Sequence, residues 1–341
     1  MISKRFILIT FPILLLLGVY FLGPEPATPK FDSVMPTVPT EPDQLEYYIK
    51  SNEAKHKVKP DNEARIVWFD STRTKTEYSV IYLHGFSASQ EEGDPIHSEF
   101  ARRYGCNLYL ARLADHGIDT TEQLLYFTPD RLWESAKEAL AIGKAIGDKV
   151  IVMSTSTGGT VALMLAAQYP DDVFALINMS PNIAINNPTA FLLNDPWGLQ
   201  IARMVIGGDY QVIDYPPARQ QYWNGKYRLE SLTQLEELLE VKMNKETFQK
   251  VKQPSLTLYY YKDEEHQDPT VKVSAMLAMN EQLGTDPSKK RAVAIPGAGA
   301  HVIGSLLVSK DLESVITETN SFADEVLGME PVNDYLVLFL R

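Results

Sequence analysis

The chain has 341 residues, of which 45% are hydrophobic and 22% are charged; these proportions are typical of a globular protein and favour one α/β domain with an insertion. Its formal net charge of -12 at pH 7 disfavours nucleic acid and anionic membrane surfaces as electrostatic partners, because both would repel it. The single cysteine, Cys106, excludes an internal disulfide and a C-x-x-C metal or redox motif, and we expect it to be a core residue.

The N-terminus begins with a candidate membrane segment. Lys4 and Arg5 precede an apolar run at residues 6–22, close to the minimum of about 17 residues that span a bilayer. We predict an uncleaved anchor at residues 1–23, because no A-x-A-like cleavage site follows. The alternatives are a cleaved signal peptide, which would give a secreted protein, and a buried core helix. The positive charge before the run predicts that the rest of the chain lies outside the cytoplasm, in the periplasm or extracellular space.

A proline-rich spacer and one large domain follow the predicted anchor. Residues 24–43 contain prolines at six positions, which predicts an extended segment. Residues 44–341 are predicted to form the domain, in which apolar β-branched runs alternate with helical periodicity. This alternation predicts a mostly parallel sheet with helices on both faces. The predicted strands are 64–69, 79–83, 106–113, 150–155, 174–179, 255–261 and 292–296. The main predicted helices lie near 45–56 and 130–147, directly after residue 156, from about 270 to 283, and near 309–327.

Residues 182–250 interrupt the alternation. They are first rich in Asn and Pro, then aromatic, and finally helical with regularly spaced leucines. An insertion between strands is where a helical cap over a binding pocket would lie, so we predict a cap here. The alternative is a helical excursion that only completes the core.

The most informative stretch is VIVMSTSTGGT at residues 150–160. A strand, a turn of small residues and a helix follow one another, and Ser156 occupies the serine position of a G-x-S-x-G nucleophile elbow. Ser154 stands where the first glycine is usual. The small residues allow the strand and the helix to approach closely, so we interpret Ser156 as a nucleophile.

A serine nucleophile needs a base, and a further group must hold that base in the correct tautomer. In this architecture the expected chain order is serine, acid, histidine. His301 follows the last predicted strand in a glycine-rich loop and is the predicted base. Two of the acidic residues after the strand at 255–261 are candidates for the acid: Asp268, which begins the motif D-P-T-V and is preferred, and Asp263, which stands nearer the strand end.

The oxyanion of a tetrahedral intermediate requires preorganised N–H donors. We expect these from the backbone of Thr157, directly after the nucleophile, and of Phe86, after His84 and Gly85. Gly85 would permit close approach, and His84 is expected to brace the loop.

The motifs HGFSAS, LADHG, S-x-S-x-G-G, D-x-x-V and G-x-x-x-H-V-I occur in this order over residues 64–310. The set resembles the α/β-hydrolase superfamily, especially its carboxylesterase and monoacylglycerol-lipase-like branch. The resemblance implies an α/β-hydrolase fold with a helical cap, a serine hydrolase that uses no cofactor and no metal, and an acyl-enzyme intermediate formed from an ester.

The resulting hypothesis is hydrolysis of a small-molecule ester or lipid-like substrate with an apolar acyl group, as the aromatic insertion suggests. The alternatives are a serine peptidase or acyltransferase with the same triad, and a non-catalytic binding module with the same fold. A metal hydrolase is disfavoured because no two histidines stand at ligand spacing.

Overall fold

The computed structural model describes residues 17–332. Most of the predicted anchor at residues 1–23 therefore lies outside the described residues, as does the tail at 333–341. Within 17–332, no helix combines the length and the apolar character needed to cross a bilayer.

Seven strands form the central sheet, in the order β1-β3-β2-β4-β5-β8-β9. Strand β1 pairs antiparallel with β3, and the other neighbours pair in parallel. A separate antiparallel ribbon contains β6 and β7. The strands are β1 Arg65–Val67, β2 Thr76–Leu83, β3 Asn107–Leu110, β4 Gly147–Thr155, β5 Val173–Met179, β6 Tyr210–Val212, β7 Lys226–Arg228, β8 Ser255–Tyr259 and β9 Lys290–Ala294.

Helices cover both faces of the sheet, as predicted. They are α1 Pro42–Glu53, α2 Ile96–Arg103, α3 Pro129–Ile146, α4 Thr157–Gln168, α5 Gly198–Ile206, α6 Pro217–Gln220, α7 Glu230–Lys242, α8 Lys245–Lys250, α9 Val273–Gln282 and α10 Leu312–Phe322, followed by a π-helical turn at Ala323–Leu327. Alternate strand residues point to opposite faces, so Ile81 belongs to one apolar cluster with α3, α4 and α9, and Val80 to another with α2 and α10.

The strand ends differ from the prediction by up to three residues, and two strands show why. The apolar run at 106–113 leaves the sheet after Leu110, because the Leu113 N–H donates to Nε2 of His84 rather than to a strand. The strand predicted at 292–296 begins earlier, at Lys290, which pairs with Ser255. Strand β9 lies at the edge of the sheet and begins with two polar residues, Lys290 and Arg291. A prediction based on apolar runs leaves such residues out.

The insertion at 182–250 contains α5, β6, α6, β7, α7 and α8. The prediction of helices is confirmed for this segment, but the β6–β7 ribbon was not predicted. Three-residue strands with mixed polarity carry too little periodicity to be recognised in a sequence.

Residues 24–41 of the predicted proline-rich spacer at 24–43 form neither helix nor strand, but helix α1 already begins at Pro42, because proline is tolerated in the first turn of a helix. This segment lies along helix α3. The Trp133 indole N–H donates to the carbonyl oxygen of Asp32 at 2.7 Å, and Lys137 Nζ donates to that of Val34 at 2.8 Å. The segment is therefore fixed to the domain by hydrogen bonds that its composition did not indicate.

Candidate active site

Ser156 occupies the turn between β4 and α4. Its backbone angles, φ 52° and ψ -119°, lie outside the regions that non-glycine residues favour. The turn is held by hydrogen bonds from Ser156 N to the Met179 carbonyl at 3.0 Å and from Gly159 N to the Ser156 carbonyl at 2.8 Å. A Cβ atom on Gly158 would lie 1.9 Å from the Leu83 carbonyl oxygen, which explains the requirement for glycine.

Ser154, which replaces the first glycine of the elbow motif, is fully buried. Its hydroxyl donates to Oδ1 of Asn178 on the neighbouring strand β5 at 2.7 Å. The hydroxyl therefore has a partner inside the sheet, so serine is accommodated here without an unsatisfied polar group.

His301 and Asp268 form a pair in the loops after β9 and β8, in which Asp268 is fully buried and the His301 side chain is partly exposed. Nδ1 of His301 lies 2.6 Å from Oδ2 of Asp268. The other carboxylate oxygen of Asp268 accepts the backbone N–H groups of Thr270 at 2.8 Å and Val271 at 3.0 Å. These contacts fix the carboxylate and leave Nε2 of His301 as the ring nitrogen that is free to exchange a proton with another group.

Burial lowers the pKa of His301, but the charge and hydrogen bond of Asp268, with a further contribution from the charge of Glu92, outweigh this effect. The net pKa of His301 is raised above its ordinary value. The carboxylates thus favour the imidazolium, which is the charged form a general base acquires during attack.

Asp263, the alternative acid, lies elsewhere. It is exposed and its Oδ1 is 2.7 Å from Nδ1 of His266, three residues along the same loop. That hydrogen bond is the largest contribution that lowers the pKa of Asp263. The pairing is local, so Asp263 serves as a partner of His266 and not of His301.

The two expected oxyanion donors, Phe86 and Thr157, line the same cavity as Ser156 and His301. Thr157 begins α4, so its N–H has no acceptor within the helix. A Cβ atom on Gly85 would lie 2.9 Å from the Ser156 Cβ, so glycine permits the close approach of the Phe86 loop. His84 accepts from Leu113 N through Nε2 at 3.0 Å, and burial holds its pKa well below the ordinary value, in agreement with a bracing role.

The cavity has a volume of about 530 Å³ and its walls are mostly apolar. The cap supplies many of these walls, including Ile213, Tyr215, Trp223, Tyr227, Leu232 and Leu235. Residues of the insertion therefore form part of the cavity that contains Ser156. Cavities of this size and character are usual for small-molecule sites.

Two charged residues in the cavity were not identified from the sequence: Glu92 and Arg219. The Gly85 N–H donates to the buried Glu92 carboxylate. Burial raises the pKa of Glu92 to about 7, although this hydrogen bond and the charges of His301 and Arg219 oppose the shift. Charged residues are common in the loops of any protein, so no local sequence pattern indicated that Glu92 and Arg219 line the cavity.

Metal ligation has no candidate among residues 17–332, where no cluster of three or more His, Cys, Asp or Glu side chains could hold an ion.

A mostly parallel sheet covered on both faces, with a serine at the sharp turn after its central strand, defines the α/β-hydrolase fold, and the predicted fold is confirmed. No family model and no curated protein sequence matches the chain. Solved structures match it in fold.

A structure from work on the metagenome-derived lipolytic enzymes LipS and LipT has a TM-score of 0.60 at 17% identity, covering 78% of this chain and 98% of its own. The monoacylglycerol lipase of Paleococcus ferrophilus has a TM-score of 0.55 at 14% identity, covering 75% and 96%. Est1E from Butyrivibrio proteoclasticus, bound to ferulic acid, has a TM-score of 0.53 at 20% identity, covering 78% and 95%. At these identities the likeness concerns the fold.

Proposed function

We propose that the protein is a serine hydrolase that cleaves carboxylic esters through an acyl-enzyme. One observation carries the proposal: Ser156 and His301 line one cavity, and Nδ1 of His301 is hydrogen-bonded to Asp268. The structural neighbours include lipases and esterases, which favours an ester over other acyl substrates.

In the proposed mechanism, Oγ of Ser156 attacks the acyl carbonyl carbon while Nε2 of His301 removes the hydroxyl proton. Asp268 holds Nδ1–H of His301 and stabilises the imidazolium. The backbone N–H groups of Phe86 and Thr157 donate to the oxyanion. Collapse of the tetrahedral intermediate breaks the ester C–O bond, and His301 returns the proton to the leaving alcohol.

Water then repeats the sequence on the acyl-enzyme. His301 removes a proton from the water as its oxygen attacks the acyl carbon, and returns the proton to Oγ of Ser156 as the acid departs. The apolar cavity wall supports an apolar acyl or alcohol group as part of the substrate.

The test is labelling with a fluorophosphonate probe together with hydrolysis of p-nitrophenyl esters. The wild type should label and Ser156→Ala should not. Ser154→Ala is the matched control, because its hydroxyl bonds to Asn178 and not to the cavity. Equal labelling of the wild type and Ser156→Ala would contradict the proposed nucleophile.

The acid is tested by comparing Asp268→Asn with Asp263→Asn. Loss of the acid should lower kcat by about 10⁴-fold, and we expect this only at Asp268. A larger loss at Asp263 would reassign the acid.

We also propose that the N-terminal run holds the enzyme at a membrane with its domain outside the cytoplasm. The support is the apolar sequence at 6–22 preceded by Lys4 and Arg5. Release of the full chain from washed membranes by detergent but not by salt would support this, and release by salt alone would refute it.

A further inference from the structure

Arg219, in the cap helix α6, lines the cavity that also contains Ser156 and His301. Its guanidinium carbon lies 4.2 Å from the centre of the Tyr215 ring and 4.8 Å from that of Trp223. Its Nε–H is buried without an acceptor, and among residues 17–332 it has no ion-pair partner. A partly buried cation without a carboxylate partner is unusual in a folded protein.

The segment that carries Arg219 is firmly attached to the main domain. Asn224 N donates to the Ser87 carbonyl at 2.7 Å, Lys59 Nζ to the Gln220 carbonyl at 2.7 Å, and Tyr222 OH to Asp61 at 2.9 Å. These contacts lie at and after the C-terminal end of α6, and the contacts of the guanidinium with Tyr215 and Trp223 hold the side chain itself. A preorganised donor loses little conformational entropy on binding a ligand.

Trp223, one of the two rings beside the Arg219 guanidinium, connects Arg219 to the proposed catalytic residues. Trp223 is buried in a small apolar cluster with Ala88 and Val302, which directly follows His301. The charge of Arg219 also acts on His301, whose pKa it lowers, although burial and the Asp268 carboxylate affect that pKa more strongly. The guanidinium and the proposed reacting groups thus belong to one site.

The other charged group that shares the cavity with Arg219 and His301 is Glu92. Its carboxylate accepts from the Gly85 N–H, on the loop that precedes Phe86. Burial raises its pKa to about 7, so near neutral pH a large fraction of Glu92 is uncharged. Glu92 therefore only partly compensates the positive charge of Arg219.

We propose that Arg219 binds an anionic group, most simply a carboxylate, carried by the ester substrate. Guanidinium forms charge-assisted hydrogen bonds with carboxylates, and the stacking on two rings leaves its edge available for such bonds. The inference rests on the proposed function, because it specifies the substrate of that same site. It predicts a substrate with an apolar part that fills the cap cavity and one negative charge.

The experiment compares matched esters that differ by a single carboxylate. In one pair the acyl group carries the charge: the mono-p-nitrophenyl ester of glutaric acid against p-nitrophenyl valerate. In the other pair the alcohol carries it: 3-acetoxybenzoate against phenyl acetate. The quantity measured is the ratio of kcat/KM for the anionic ester to that for the neutral ester, so changes in His301 or in the amount of active enzyme cancel.

The variants are Arg219→Met, which keeps most of the side-chain volume, and Arg219→Lys, which keeps the charge. Lys226→Met is the matched control: Lys226 is an exposed cap cation that lies 4.1 Å from the Tyr210 ring, outside the cavity lining. For at least one pair, Arg219→Met should lower the ratio by about 10- to 100-fold, the range expected for a hydrogen bond to a charged group. Arg219→Lys should lower it less, and Lys226→Met should leave it unchanged.

Two results would overturn the inference: an unchanged ratio in Arg219→Met for both pairs, or a wild type that cleaves the neutral esters but neither anionic ester. Failure of the proposed function looks different, since the wild type would then cleave none of the four esters and would not react with the fluorophosphonate probe.

Discussion

Replacing Glu92 by Gln tests the electrostatics of the cavity directly. Glu92 is 2% exposed and burial raises its pKa from 4.5 to about 7. Glutamine has nearly the same shape and can still accept the Gly85 N–H, but it never ionises. The substitution therefore removes the cost of burying a negative charge while it preserves the local hydrogen bond.

Proton binding by Glu92 determines how the stability of the protein changes with pH. Between pH 4.5 and about 7, the folded protein keeps the Glu92 proton that the unfolded chain has released. Stability therefore falls as the pH rises through this interval. At about 1.4 kcal/mol per pH unit, the interval corresponds to about 3 kcal/mol, which is lost in the wild type and not in Glu92→Gln.

The assay is denaturant unfolding of the full chain at pH 4 and pH 8. The difference in unfolding free energy, Glu92→Gln minus wild type, should increase by about 3 kcal/mol from the lower to the higher pH. Glu63→Gln, which removes a carboxylate from the exposed surface, is the control and should show no such increase. A difference that stays constant or decreases with pH would contradict the raised pKa of Glu92.

Three further outcomes are expected. Gly158→Ala should destabilise the protein by about 1–3 kcal/mol or more, because the new Cβ would lie 1.9 Å from the Leu83 carbonyl oxygen. Gly208→Ala is the control: its Cβ would have no atom within 4 Å, so the melting temperature should stay nearly unchanged. In Asp268→Asn, the acid limb of the kcat/KM profile should move to lower pH, because the carboxylate that raises the pKa of His301 against the effect of burial is gone; an unmoved limb would contradict the pair. Trp133→Phe should accelerate limited proteolysis within residues 24–40 and lower stability by about 1 kcal/mol, because the 2.7 Å bond to Asp32 is lost; unchanged cleavage would show that this bond does not hold the segment.

Local pattern in the sequence determined the α/β order of elements and the turn that carries Ser156. The reason is physical: a buried strand, a turn of small residues and a helix are each specified by residues close together in the chain. The same reasoning located His301, since a glycine-rich loop after the last strand is also a local feature. It displaced both ends of the edge strand β9 by two residues and missed the β6–β7 ribbon, where burial is too incomplete to impose a periodicity.

Only the tertiary structure decided which loop groups meet. Asp263 and Asp268 are both acids after the same strand, and the path of the loop pairs the first with His266 and the second with His301. The meeting of Glu92 and Arg219 in one cavity likewise depends on how the cap folds back over the sheet. The proline-rich segment was predicted as extended from its composition, but its attachment to α3 depends on hydrogen bonds between residues about a hundred positions apart. Such contacts are determined by packing of the whole chain, which no local pattern encodes.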